Sequence, residues 1–284
     1  MLKILLSKNT NYSAKYKIDV YIGGIKLRHD KVKINIIYIL VLSIIGMLFT
    51  NSMYIAYAAN KYNYNRNNEK IILIDPGHGG IDGGAVSKRG TVEKDITLPI
   101  SIKLKNSLEK QGFKVIMTRE EDKGLYSDKG KIRDKKREDL NNRCRIKQES
   151  NCDVFISIHL NMFNQSKYYG AQVWYADTDE SAKLAHLVQQ NFIKDIENNN
   201  TRKEKCAKGA YKILRCYNHI PSILVECGFL SNTYEEEKLK TDSYQQKIVD
   251  SLSKSINQYF EYKYQEEINE DNNIESIESK KEDY

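Results

Sequence analysis

The 284-residue chain has no C-x-x-C pair, and its five cysteines (Cys144, Cys152, Cys206, Cys216, Cys227) are an odd number. A thiolate zinc site is therefore poorly supported, and complete pairing within one chain is excluded. Most of the five read as small core residues, with a disulfide between some of them left open. Internal repeats are absent, which argues against a solenoid or propeller. No recognition motif and no basic stripe interleaved with aromatics is present, so nucleic acid is not expected as a partner. The longest apolar run, 34–49, has sixteen residues broken by Asn35, Ser43 and Gly46, short of the ~20 needed to span a bilayer.

The formal charge of +7 is unevenly placed. Residues 1–33 carry eight Lys/Arg against two Asp, and 261–284 carry nine acidic against three basic residues. The two ends cancel, so the body keeps the surplus, gathered mainly in 129–147. A mildly basic body suits an anionic polymer such as a cell wall but selects no partner by itself. Lys26, Arg28, Lys31 and Lys33 precede the apolar run, the order of a signal peptide or signal anchor. Met53–Ala59 extends the run, and Ala56-Tyr57-Ala58 offers small residues for cleavage after Ala58. Export across the cytoplasmic membrane is expected, with cleavage and a retained anchor both open. Membrane contact through 34–59 follows if the segment is kept.

Five segments are expected: a basic N-terminal segment at 1–33, the signal peptide or anchor at 34–59, and a linker at 60–69. A folded domain follows at 70–260, then an acidic tail at 261–284, expected to be disordered. In the domain, strands are predicted at 70–75, 113–117, 154–158, 170–176 and 222–225. Helical spacing runs through Ile96, Ile100, Leu104 and Leu108, with Gly112 as its stop, then around Leu140 and Ile146, at 181–196, near 234–240 and at 244–260. The interval 120–135 reads as a charged loop. Strands alternating with helices predict a single-domain α/β fold, a mostly parallel twisted sheet with helices on both faces. Ligands in such folds gather at the carboxyl ends of the strands.

Four residues stand at or near those ends with metal or proton chemistry to offer. His78 lies in IDPGHGG and His159 in SIHLN, each closing an apolar strand. Glu93 in TVEKD opens a helix, where the dipole alone would favour a carboxylate. Glu226 ends the buried run SILVE, an expensive place for a carboxylate without a partner or a task. Two imidazoles and one carboxylate form a zinc set with an open fourth position, and a second carboxylate beside it suits proton transfer. Glycines around His78 would let the backbone pass close to an ion, and Asp75 is a candidate to orient a histidine ligand. His29, His186 and His219 lack such settings and read as bystanders.

From about Lys70 to Phe260 the chain resembles the zinc-dependent N-acetylmuramoyl-L-alanine amidases, the family often called amidase type 3. The resemblance rests on IDPGHGGIDGGA, the following Glu93, TREED at 118–122, FISIHLN and LVECGFLSN. It implies one zinc ion held by His78, Glu93 and His159, with Glu226 as the catalytic carboxylate. It also implies the substrate, the amide joining the lactyl group of N-acetylmuramic acid to L-alanine in peptidoglycan. KGKIRDKKREDLNNRCRI and SIHLNMFNQSKYYGAQVWY are similar to the spore-cortex, germination-specific branch. That branch implies removal of peptide side chains so that muramic δ-lactam forms, a place in the cell wall or forespore intermembrane space, and a sporulation-specific accessory protein. Another wall-directed zinc hydrolase (a peptidase or sugar deacetylase) and a non-catalytic peptidoglycan-binding protein are the alternatives.

Overall fold

The computed structural model describes residues 2–8, 16–22, 25–26, 42–55, 69–197 and 199–282. They divide into two compact units, 1–68 and 69–284. In the first, strands β1 (Leu2–Lys8), β2 (Tyr16–Ile22) and β3 (Ile25–Lys26) form an antiparallel sheet, and residues 42–55 form helix α1. The segment 34–59 is therefore helical over 42–55, and the rest of it lies outside the described residues, as does 60–68 of the expected linker. No helix among the described residues is long and apolar enough to cross a membrane.

The second unit holds a six-stranded sheet in the order β5-β4-β6-β9-β7-β8. Its strands are β4 (Ile71–Pro76), β5 (Lys114–Met117), β6 (Val154–Asn161), β7 (Gln172–Tyr175), β8 (Lys205–Cys206) and β9 (Ser222–Phe229). β5, β4, β6 and β9 run parallel, but β7 lies antiparallel to β9. The reason is local: residues 162–171 between β6 and β7 contain no crossover helix, and a parallel return needs one. Helix α4 (Asp179–Asp195) then supplies a crossover, and β8 pairs parallel to β7.

Period-two alternation divides the strands between two cores. Ile156, Ile158 and Leu160 of β6 join Ile223, Val225 and Cys227 of β9 against α2 (Lys94–Glu109), α4 and α7 (Asp242–Glu282). The predicted stripe Ile96, Ile100, Leu104, Leu108 is the buried face of α2. Each such fully buried side chain contributes roughly 1.5–3 kcal/mol. On the other face Phe155 and Leu224 pack with Cys144, Leu140 and Ile146 of α3 (Ile132–Glu149) and with Ile213 and Leu214 of the one-turn α5 (Lys212–Arg215). A Cys144–Cys216 disulfide ties α3 to the end of α5, while Cys152, Cys206 and Cys227 are free.

Two expectations need correction. Helix α3 starts at Ile132, inside the interval read as loop. The acidic tail is not structureless over 261–282, because α7 continues to Glu282. Charge explains the continuation in part: Glu266 pairs with Lys183 of α4 at 3.0 Å, and Lys263 reaches Glu180 at 3.3 Å. Those ion pairs carry α7 past the apolar seam formed by Ile248, Val249, Leu252, Ile256 and Tyr259.

A metal-competent cluster at the strand ends

β6 presents Phe155, Ser157 and His159 on the face that carries α3 and α5. Register sets His159 of β6 opposite Glu226 of β9, and Glu226 opposite Gln172 of β7, so the three share a row across that face. His78 follows β4 in a turn where its φ is +63°, a left-handed conformation histidine adopts more readily than most residues. Glu93 stands at the cap position immediately before α2. Ligand atoms from His78, Glu93 and His159 all lie within 4.8 Å of one another, a group able to hold a metal ion.

The carboxylate of Glu93 binds the pair together. Its Oε1 is 3.0 Å from His159 Nδ1 and accepts the Leu160 N–H at 2.9 Å. Its Oε2 is 3.1 Å from His78 Nε2 and accepts the Ala85 N–H at 2.8 Å. Burial alone would raise its pKa, but the two imidazoles hold it well below the ordinary carboxylate range. His78 shows the converse: burial disfavours its cation, yet Asp82 and Glu93 outweigh that and raise it to about 9. The carboxylates that raise it are the same groups whose charge a metal ion would balance.

Two glycines make this spacing achievable. A Cβ on Gly77 would come within 2.5 Å of the His159 ring. A Cβ on Gly84, at φ +73°, would meet Glu93 Oε2 at 2.5 Å and the His78 ring at 2.6 Å. Their role is to leave room for imidazoles and a carboxylate.

The turn that carries His78 is clamped by two arginines. Arg143 of α3 donates to Asp75 Oδ1 (2.6 Å), Pro76 O (2.9 Å) and His78 O (2.6 Å), and pairs with Asp139 at 2.6 Å. Arg119 donates to Pro76 O (3.1 Å) and Gly77 O (2.9 Å). Asp75 is thereby accounted for, and not as expected. It accepts from Thr118, Ser157 and Arg143, and no histidine is among its hydrogen-bond partners in the described residues. Against the upward pull of its burial, those partners keep its pKa low. The residue that orients His78 is Asp82, whose Oδ2 is 3.0 Å from Nδ1, with Lys136 on its other oxygen at 2.8 Å. Asp82 lies four residues beyond His78 inside IDGGA, a signal legible only once the turn is known. Arg143 and Lys136 carry no local signal, since α3 is crowded with cations.

Glu226 differs from its neighbours. It is buried, and Oε2 has no hydrogen-bond partner among the described residues. Burial raises its carboxyl to about 7, with His159 pulling it down and Glu93 pushing it up. A carboxyl poised there exchanges a proton readily at neutral pH. A cavity of about 250 Å³ opens beside the cluster, lined by His78, His159, Asp82, Lys136 and Ile213 among others. The bystander histidines stay apart. His186 pairs with Glu204 at 2.8 Å, His219 sits edge-on to Tyr217, and His29 lies outside the described residues.

The family model for N-acetylmuramoyl-L-alanine amidases matches residues 72–258. The chain belongs to this family. This amidase is 41% identical over 194 residues to the germination-specific N-acetylmuramoyl-L-alanine amidase of Bacillus subtilis (strain 168), covering 67% of this chain and 80% of that protein. Among solved structures it is similar to the CwlD amidase from Clostridioides difficile, determined in complex with the GerS lipoprotein. That match has a TM-score of 0.66 and 43% identity, over 68% of this chain and 99% of the other. The N-acetylmuramoyl-L-alanine amidase from Clostridium difficile 630 matches with a TM-score of 0.60 and 33% identity, over 68% and 98% of the two chains. The amidase thus shares the six-stranded α/β fold of these neighbours, and its substrate class is peptidoglycan.

Proposed function

We propose that this amidase is zinc-dependent and hydrolyses the amide between N-acetylmuramic acid and L-alanine, removing peptide side chains during spore cortex synthesis. Hydrolysis frees the lactyl carboxyl, which closes to muramic δ-lactam, with loss of water, only after a separate deacetylation has freed the sugar amine, and germination depends on that lactam. One observation carries the chemistry: a two-imidazole, one-carboxylate cluster stands in register with a buried carboxyl whose Oε2 has no hydrogen-bond partner among the described residues. That donor set fits zinc, with His78, Glu93 and His159 as the residues that would hold it. When bound, zinc supplies a Lewis acid that polarises an amide carbonyl. Glu226 takes a proton from the attacking water at its unpartnered Oε2 and returns it to the departing nitrogen. Water adds across the C–N bond, leaving a lactyl carboxylate on the sugar and a free amine on L-alanine. Asp82 fixes the His78 ring, and the Arg143 and Arg119 clamps hold its backbone.

The cortex role rests on similarity to the germination-specific relative. An accessory protein is proposed because the similar CwlD amidase was determined in complex with a lipoprotein. Export, with membrane contact through 34–59 if that segment is retained, is supported by the cations ahead of the apolar run and by the exposed Leu42, Ile45, Leu48 and Phe49 of α1. Between Ala176 and Ser222 the described helices are α4 and the single turn α5, which argues for a cleft not plugged by a removable helix.

The test is mass spectrometry of purified peptidoglycan digested by the zinc-loaded protein. Peptides beginning with L-alanine, and no released acetate, are expected. His78→Ala and His159→Ala are expected to lose zinc content as well as activity. Acetate as the product, or stoichiometric zinc in both variants, overturns this assignment.

A further inference from the structure

Beyond the cluster, at the ends of β6 and β9, lies a second cavity of about 250 Å³, lined by Asn161, Phe163, Tyr168, Arg202 and Phe229. Resting on the function proposed above, we propose that this cavity seats the acidic residue following L-alanine in the stem peptide, and that Arg202 reads its carboxylate.

Position comes first. Asn161 is two residues beyond His159 on β6 and pairs in register with Phe229, past a bulge between His159 and Asn161. Two residues along a strand is about 6–7 Å on the same face. One extended peptide residue spans about 3.3–3.6 Å, so the residue after L-alanine lies at a matching distance from the scissile amide.

Chemistry comes second. Arg202 is the one charged residue lining the cavity. Its Nε donates to Tyr169 O at 2.6 Å, and its Nη1 donates to Oε1 of Gln172, the cross-strand partner of Glu226, at 3.3 Å. Its guanidinium carbon lies 4.4 Å from the centre of the Phe229 ring. Held on three sides, the guanidinium has lost its rotamer freedom before any ligand arrives, which lowers the cost of binding. Nη2 makes no hydrogen bond among the described residues, and a guanidinium edge matches a carboxylate.

The seat is itself built. Glu235, 1% exposed, accepts the Gly170 N–H at 2.9 Å and the Phe229 N–H at 2.8 Å. It thereby fixes both segments against which Arg202 rests. Phe163 and Tyr168 meet edge-to-face at 4.8 Å to form a wall, and Lys167 lies 5.5 Å over the Tyr168 ring. The cavity is below the ~300–1,000 Å³ of drug-sized sites, which suits one side chain rather than a disaccharide. In the substrate the muramic carboxyl is consumed in the amide, so carboxylates belong to the peptide and not to the glycan. Charge therefore selects the peptide as occupant.

The test uses two synthetic N-acetylmuramoyl peptides that differ only at the residue after L-alanine, one with a free α-carboxyl glutamate and one with its carboxamide. They are hydrolysed by the zinc-loaded wild type, Arg202→Gln and Arg202→Lys. Losing a charged hydrogen bond is expected to give the wild type about a tenfold to hundredfold higher kcat/KM on the acid. Arg202→Gln is expected to erase that preference, its loss in kcat/KM falling mainly on the acid substrate, and Arg202→Lys to restore part of it. Equal rates of wild type on both substrates, or equal losses on both in Arg202→Gln, overturn the role of Arg202 and leave the amidase assignment intact. Absence of any L-alanine-terminated product from either substrate sinks both together.

Discussion

Replacing Glu226 with Gln is expected to stabilise the zinc-free protein while abolishing hydrolysis. In the unfolded chain this carboxyl titrates near 4.5, and in the folded, zinc-free protein burial moves it to about 7. Below pH 4.5 both states hold the proton and the group costs nothing. As pH rises toward 7 the unfolded state ionises first, so stability falls, and above 7 the loss is complete. The two titration points correspond to a penalty of about 3 kcal/mol at pH 8. The amide has the same shape and no charge to desolvate, though it leaves a buried polar atom of its own, so a net gain of about 2–3 kcal/mol remains. For a unit of this size that is about 4–12 °C in Tm. The assay is thermal denaturation by circular dichroism in chelator, at pH 4.5 and at pH 8. The two proteins are expected to coincide at the lower pH and separate at the higher. Hydrolysis is expected to fall about 10²–10⁴-fold with zinc still bound. Equal Tm values at pH 8 would refute the burial argument, and activity within threefold of wild type would remove Glu226 from proton transfer.

Asp82→Asn keeps the size of the group that orients His78 but removes its charge, so zinc affinity, measured by competition with a chelator, is expected to fall about 10–100-fold; unchanged affinity would assign Asp82 to the turn alone. Arg143→Met leaves the buried Asp75 without its counter-ion and is expected to cost about 3–5 kcal/mol in denaturant titration. Adding Asp75→Asn should recover part of that loss, and strict additivity of the two changes would show that they do not interact. The Cys144–Cys216 bridge spans a sequence separation of 72 residues, and Cys144→Ser is expected to lower stability under oxidising conditions by about 2–4 kcal/mol. No difference between oxidised and reduced wild type would count against the bridge.

Much of this molecule was legible from neighbours along the chain. Apolar runs and the spacing Ile96, Ile100, Leu104, Leu108 report burial of one face, which is a local property. His78, Glu93 and His159, which the fold gathers into one group, and the buried Glu226 stood out in the sequence because each sits in a short motif at a strand or helix end, where a polar side chain has few structural excuses. Other features depended on residues far apart in sequence. Arg143 reaches Asp75 across 68 positions and His78 O across 65, and nothing in a run of cations distinguishes it from Lys136 or Arg145. Asp75 was assigned to the wrong neighbour for the same reason: a buried carboxylate needs partners, but its own segment does not name them. The antiparallel placement of β7, the pairing of Cys144 with Cys216 and the persistence of α7 along its acidic end were likewise decided by tertiary contacts. Periodicity records which side chains leave water, whereas the choice of partner for a buried charge is settled by geometry that forms only when the strands assemble.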